Sequence, residues 1–187
     1  MSLALKFLIM GPPGAGKGTQ AKILATEFNL RHLSTGDILR EEIRNQSEIG
    51  LDAQKFMDAG NLVPDNILLT MMQNKLTELN KHGIILDGFP RTIPQAEGLS
   101  IIFKNLNSKI DYVINIDVEE NALISRLIER AKNSGRADDT KEVIIKRQQV
   151  YRELTEPLIK YYSNEIIQVD GDGTIEEVTK RILQRIN

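Results

Sequence analysis

Cysteine is absent from the 187-residue sequence, so neither disulfides nor thiolate zinc sites can support the fold. A chain of this length buries on the order of 70% of its unfolded surface, so its core needs neither. Long apolar runs are missing too. No stretch reaches the roughly 18 residues of a membrane span, and Met1 to Met10 holds a short apolar run without an arginine-rich flank or a small-residue cleavage site. That run reads as a strand, and a soluble protein with no membrane partner is expected. The lack of cysteine suits a reducing cytoplasm. Charge of one sign is also lacking: 24 Lys and Arg stand against 26 Asp and Glu, a formal net charge of −2, which leaves no overall footprint for nucleic acid. Any anion site must be local.

What is present is an alternation of two kinds of segment, without repeats or low-complexity stretches. Strands are expected at Leu5 to Met10, Arg31 to Leu33, Gly83 to Leu86, Tyr112 to Ile116 and Ile166 to Val169, mostly the continuous apolar runs that burial on both faces produces. Helices are expected between them. Ala21, Leu24, Ala25 and Phe28 recur at one-face spacing in Thr19 to Asn29, where Asn29 is a plausible stop. Asp65 after Pro64 reads as the cap of an amphipathic helix through Leu79, and further helices read at 119 to 131, 140 to 162 and 174 to 186. The pattern predicts an α/β fold: one domain over 1–187 with a doubly wound parallel five-stranded sheet and helices on both faces. Ligands of such sheets bind beyond the carboxyl ends of the strands.

The first strand runs into Gly11-Pro12-Pro13-Gly14-Ala15-Gly16-Lys17-Gly18-Thr19 and then into a helix. Glycines at 14, 16 and 18 let a phosphate approach the backbone closely, with successive amide N–H groups pointing inward. The helix that follows adds partial positive charge at its N-terminus, and Lys17 adds a full mobile one. Gly14, Ala15, Gly16, Lys17, Gly18 and Thr19 are therefore read as a triphosphate-binding loop of P-loop type, with Lys17 also catalytic. The bland alternative is a glycine-rich turn between strand and helix. One departure stands out: the general pattern places Ser or Thr directly after the lysine, and here Gly18 intervenes before Thr19.

The third main strand ends in Asp87-Gly88-Phe89-Pro90-Arg91-Thr92. With a phosphate loop on the neighbouring strand, Asp87 can position hydrated Mg2+ through water. Without that loop, Asp87-Gly88 would be read as a turn. The order Asp-Gly-Phe, with no His-Arg-Asp loop, excludes a protein kinase.

These motifs, together with Ser34-Thr35-Gly36-Asp37-Ile38-Leu39-Arg40, Gly60-Asn61-Leu62-Val63-Pro64-Asp65 and Ser134-Gly135-Arg136-Ala137-Asp138-Asp139, occur in an order that resembles the adenylate kinases, of the nucleoside monophosphate kinase family, over nearly the whole chain. The resemblance implies a core with two mobile attachments, an AMP-binding segment near 34–63 and a short lid near 131–139. It implies the reversible reaction of ATP and AMP to give two ADP, with Mg2+ as cofactor and a monomer as the working form. The lid is too short for the zinc-bearing insertion of many bacterial relatives, so no structural zinc is expected.

By the same resemblance, Thr35, Arg40, Asn61, Leu62, Val63, Gly88, Phe89, Pro90, Arg91 and Gln95 form the AMP site, with Arg136 and Arg147. Planar guanidinium groups at Arg40 and Arg91 would clamp phosphate in paired hydrogen bonds. Arg126, Arg130, Arg136 and Arg147 would surround the transferred phosphoryl, and the ATP adenine would lie near Arg130 and Gly173. Several positions have rivals. Thr35 could cap the helix that begins near Asp37, and Thr92 to Gln95 has the form of a capping box. Arg126 could pair with Glu129 or another surface acid, and Gly173 could sit in a plain helix-entry turn. His32 and His82 are expected in loops or at the surface, without a role.

Two other functions compete. UMP/CMP kinases share the phosphate loop but typically carry Ala where Thr35 stands and Asn in the Arg91 to Gln95 region. A P-loop GTPase or nucleotide-sensing module is further off: a GTPase normally carries Asn-Lys-x-Asp for guanine, whereas Asn74-Lys75-Leu76-Thr77 lacks the acid.

Overall fold

The structure is a computed structural model that describes residues 4–134 and 140–186. Its centre is a five-stranded sheet of β1 (Lys6–Met10), β2 (Leu30–Ser34), β3 (Gly83–Asp87), β4 (Tyr112–Asp117) and β5 (Ile166–Asp170). All neighbours pair in parallel, in the order β2-β3-β1-β4-β5. The expected five parallel strands are thus observed, each with an end shifted by a residue or so. The both-face burial read from sequence holds for β1 and most of β3 and β4, while β2 and β5 lie at the edges and are only partly covered.

Successive side chains of a strand face opposite ways, and this splits the core in two. Leu8, Met10, Leu86 and Val113 pack on one face against Leu68, Met72 and Leu76 of α4 (Asp65–Glu78), Leu99 and Phe103 of α5 (Ile93–Asn105) and Leu158. Phe7, Ile9, Ile85, Ile114 and Ile116 pack on the other against Ala21 and Leu24 of α1 (Lys17–Glu27) and Val178, Ile182 and Ile186 of α9 (Ile175–Ile186). Lys6 is the exception within the apolar run of β1. It is buried, and its ammonium donates to the carbonyls of Asn80 at 3.1 Å and His82 at 2.5 Å.

Helix ends show where local reading was incomplete. Asn29 does end α1, taking a left-handed φ of 52° one residue past the cap. Asp65 does not cap α4; it is the first helical residue, and its carboxylate is directed at α5 instead. The segment 34–63 contains two helices, α2 (Thr35–Arg44) and α3 (Glu48–Asp58). The helix expected over 140–162 is interrupted: α7 (Lys141–Val150) opens into a π-helical turn, Tyr151–Thr155, before α8 (Pro157–Tyr161). Pro157 has no N–H to continue the α ladder, and the bond from Glu156 N to Tyr151 O closes a wider ring. The remaining helix, α6 (Glu120–Ser134), covers the expected 119–131. Among the described residues, no helix is long and apolar enough to cross a membrane.

α2 and α3 meet so closely that a Cβ at Gly50 would lie 2.3 Å from the Glu42 carbonyl carbon and oxygen. Gly50→Ala should therefore force the pair apart and destabilise the protein by about 1–3 kcal/mol. Denaturant unfolding, with hydrogen exchange localising the loss to 35–58, checks this; an unchanged midpoint would refute the close approach.

Candidate active site

The connection after β1 runs toward one edge of the sheet, and the one after β3 crosses to the other, so the carboxyl ends of β1 and β3 open into a crevice. A cavity of about 1010 Å³ lies there. Its floor is the loop from Gly11 to Thr19. Gly11, Gly14 and Gly16 take φ of 138°, 92° and 90°, angles that L side chains rarely adopt. Ala15 is buried against the α1 face of the core and pins the loop to it. α1 then begins at Lys17 with Gly16 as a cap that supplies no side-chain hydrogen bond and with no acid in its first turn. The N-terminal amides of α1 thus keep their capacity for an anion.

Gly14 through Thr19 all line the cavity. Lys17 Nζ donates to the carbonyls of Gly11 at 2.7 Å and Pro12 at 2.9 Å. Burial pulls its pKa down to about 8; the Asp87 carboxylate opposes the shift, and the charges of Arg91 and Arg130 add to it. Gly18 also has its explanation: a Cβ there would lie 3.2 Å from Asp87 Oδ2. A side chain directly after the lysine would crowd the carboxylate at the end of β3.

Asp87 is paired with His32 of β2, whose Nε2 lies 3.2 Å from Asp87 Oδ2. His32, expected in a loop or at the surface, lies within the strand expected over Arg31 to Leu33, with its side chain only 15% exposed. Burial alone would raise the Asp87 carboxyl, but the His32 hydrogen bond and the charges of Lys17 and Arg91 outweigh it and hold the group below its ordinary value. His82 is exposed.

The wall opposite the loop is built around the carbonyl of Gly88. It accepts from Thr35 Oγ1 at 2.9 Å and from Arg91 Nε at 2.8 Å. Ser34, not Thr35, caps α2 by accepting from Asp37 N, and Thr35, itself buried, lines the cavity. The capping rival for Thr35 is therefore wrong. For Gln95 the capping box is half right. Thr92 accepts from Gln95 N at 3.2 Å, but Gln95 Oε1 reaches past Thr92 to accept from Arg91 N at 2.7 Å. Gln95 Nε2 donates to Asp65 Oδ1 at 2.7 Å, and Thr155 Oγ1 donates to the Arg91 carbonyl at 2.9 Å. Arg91 is thus held by its N–H, its carbonyl and its Nε, which fixes the plane of its guanidinium. Burial lowers its pKa; Asp87 opposes this, while Arg147 and Arg40 lower it further.

Asn61, Leu62, Val63, Pro90, Arg40, Arg130 and Arg147 line the same cavity, whereas Phe89 and Gln95 lie behind its wall, fully buried. Arg40 Nη2 contacts Asp37 Oδ1 at 2.6 Å. Arg126 lines the cavity at its far end, where Nη2 donates to the Gly171 carbonyl at 3.1 Å and lies 3.8 Å from Asp172 Oδ1, next to Gly173. A surface acid does engage it, as the rival had it, but the partner is Asp172. Arg136, and with it 135–139 of the expected lid, falls outside the described residues.

Sequence reading overlooked Gln148, Tyr151 and Thr155. Tyr151 and Thr155 line the cavity, and Gln148 Nε2 donates to the Pro13 carbonyl at 2.9 Å. Their only local signal is Pro157, which warns that the helix cannot run on regularly.

A phosphate loop and a second arginine-lined wall therefore face each other across one cavity. The sequence pattern of adenylate kinases matches residues 9–167. The chain belongs to the adenylate kinase family. It is 46% identical over 184 residues to the adenylate kinase of Leptospira biflexa, with 97% of this chain and 99% of that one covered. The adenylate kinase of Nocardia farcinica is 43% identical over 183 residues, at 97% and 99% coverage. That of Methanothrix thermoacetophila is 42% identical over an alignment of 207 positions, gaps included, at 95% and 96%. Membership makes the chain a nucleotide-binding phosphotransferase.

The lowered pKa of Lys17 has a measurable sign. Burial sets the Lys17 pKa at about 8 without ligand, while a bound triphosphate favours the ammonium form. ATP affinity should thus weaken as pH rises past about 8, approaching tenfold per pH unit. Lys17→Arg, charged throughout, should flatten the dependence. Calorimetric titration between about pH 7 and pH 9.5 checks this; a flat wild-type profile would refute it.

Proposed function

We infer that this chain transfers the γ-phosphoryl of ATP to AMP, reversibly giving two ADP, and so balances the adenine nucleotides. The observation that carries the reading is the pairing of two anion sites in one cavity: the Gly14 to Thr19 loop with Lys17, and the wall of Arg40 and Arg91 anchored on Gly88. A nucleotide-sensing module or a GTPase has use for the first and none for the second.

In this reading Gly14, Ala15, Gly16, Gly18 and Thr19 cradle the ATP phosphates, and Lys17 follows the transferred group. Gly173 takes the adenosine end of ATP together with Arg130. Thr35, Asn61 to Val63 and Gly88 to Arg91 receive AMP, with Gln95 supporting Arg91 from behind. Arg126, Arg130, Arg136 and Arg147 complete the charge around the phosphoryl. The cluster is strongly cationic: beyond the effect of burial, Arg91 and Arg130 lower the pKa of Lys17, and Arg147 and Arg40 lower that of Arg91. Charge spreads over the oxygens of a transferring phosphoryl, so fixed cations stabilise the transition state more than the ground state. The acceptor is a phosphate with a second pKa near 6, ionised at neutral pH, so no general base is needed. His32 can accordingly be engaged with Asp87 rather than with substrate.

Asp87 fits a magnesium site of the hydrated kind. It is one carboxylate at the strand end beside the phosphate loop, and among the described residues no three His, Cys, Asp or Glu side chains form a metal cage. One or two carboxylates plus substrate phosphates are the usual complement for Mg2+. When bound, the ion would neutralise phosphate charge. The α2–α3 segment, within 34–63, and the 131–139 lid would close over the nucleotides and exclude water, the competing acceptor. A cytoplasmic monomer is the working form we propose; the cysteine-free sequence suits that compartment.

Offering ATP and Mg2+ with AMP, CMP, UMP or GMP and following diphosphate tests the reading. AMP should be preferred. Preference for CMP or UMP would overturn the adenine assignment, and absence of any acceptor would overturn the kinase. Lys17→Ala should lower kcat about a thousandfold with the fold intact by circular dichroism. Thr35→Ala should raise the KM for AMP about tenfold and narrow its lead over pyrimidine nucleotides, while Thr35→Ser retains the hydroxyl and the preference.

A further inference from the structure

One helical segment reaches both phosphate sites. On α7, Gln148 donates to the carbonyl of Pro13, inside the phosphate loop and directly before Gly14. Two turns further along, Thr155 donates to the carbonyl of Arg91. Thr155 is 8% exposed, and it and Gln148 each donate to a backbone carbonyl, so each contact fixes a main-chain position rather than a mobile side chain. Arg147 and Tyr151 lie on the same segment and line the cavity.

In an unbroken α-helix, positions 148 and 155 would share nearly one face, because two turns span about seven residues. The π turn at Tyr151–Thr155 ends on Thr155 itself and widens the helix ahead of it. Thr155 is thereby rotated off the Gln148 face, and the segment aims one donor at each site. Single π turns concentrate at functional sites, and this one separates two polar contacts that an α-helix would have aligned.

We propose that Gln148 and Thr155 are positioning residues that brace the donor and acceptor phosphate sites at a fixed separation. The proposal rests on the ATP:AMP transfer inferred above. Neither residue acts on nucleotide directly: Gln148 works through the phosphate loop, Thr155 through Arg91. In-line transfer needs the reacting atoms within about 3–3.5 Å, and a misplacement of about 1 Å can slow a reaction roughly a hundredfold. A brace between two backbones secures that spacing without contributing to the affinity for either nucleotide alone.

Gln148→Met keeps the length of the side chain and removes its donor; Thr155→Val keeps the shape and removes the hydroxyl; Thr155→Ser restores it. Each protein is compared by kcat, by the separate affinities for ATP and AMP, and by affinity for a mimic joining two adenosines through one phosphate chain. Gln148→Met and Thr155→Val should each lower kcat and mimic affinity about tenfold, with ATP and AMP affinities held within about twofold. The double variant should fall no further than the weaker single one, since either change releases the brace, and Thr155→Ser should recover most of the loss. If both single variants melt lower yet keep kcat and mimic affinity, the contacts are merely structural and the proposal fails. It also fails if Gln148→Met weakens ATP as much as the mimic. These failures occur with an active wild type; a wild type inactive toward AMP would instead overturn the function, and the brace with it.

Discussion

Like charges must be kept together at the carboxyl end of this sheet, and much of the structure answers to that constraint. Lys17, Arg40, Arg91, Arg130 and Arg147 share a cavity whose deepest acid is Asp87. Two like charges 4 Å apart repel by about 1 kcal/mol in water and about 4 kcal/mol at the effective dielectric near a protein surface. The cluster therefore needs rigid supports. Asp87 supplies opposite charge at the centre, Asp37 engages Arg40, and the pKa of Lys17, lowered first by burial, is lowered further by Arg91 and Arg130. Nucleotide phosphates are the counter-charge that such a cluster favours.

The supports are chiefly backbone. Arg91 is fixed by Gln95, Thr155 and the Gly88 carbonyl, and that same carbonyl fixes Thr35. Asp65 lies one step behind, receiving Gln95 and Thr92. This buried polar chain runs from α4 through α5 to the cavity wall. Its donors and acceptors are matched, so a break anywhere leaves an unpaired group in a place water reaches poorly.

How much of this could be read beforehand depended on range. The phosphate loop was legible because a strand, glycines at set spacing, a lysine and a helix follow one another without a gap. The five strands and their parallel pairing were legible from apolar runs alternating with amphipathic segments. Gln95 was legible only as half of a capping box, because its partner Asp65 belongs to another helix. Asp65 itself looked like a cap for the same reason. His32 lies in an edge strand too polar to read as buried, and its meeting with Asp87 depends on the strand order, which periodicity does not encode. Gln148 and Thr155 sit in a segment that reads as an ordinary helix; their aim is set by a π turn that only Pro157 hints at. Gly18 was visible as a departure, but its reason, the nearness of Asp87, was not.

The division of the core by the sheet has an evolutionary reach. Leu39, Ala53 and Met57, from the helices beside the acceptor wall, pack on one side; Ala15, Ala21 and Leu24, behind the phosphate loop, pack on the other. Sequence drift in the acceptor half can reshape which monophosphate is received while the triphosphate cradle keeps its own, separate foundation. A lineage can thus explore new acceptors without first relearning how to hold its donor.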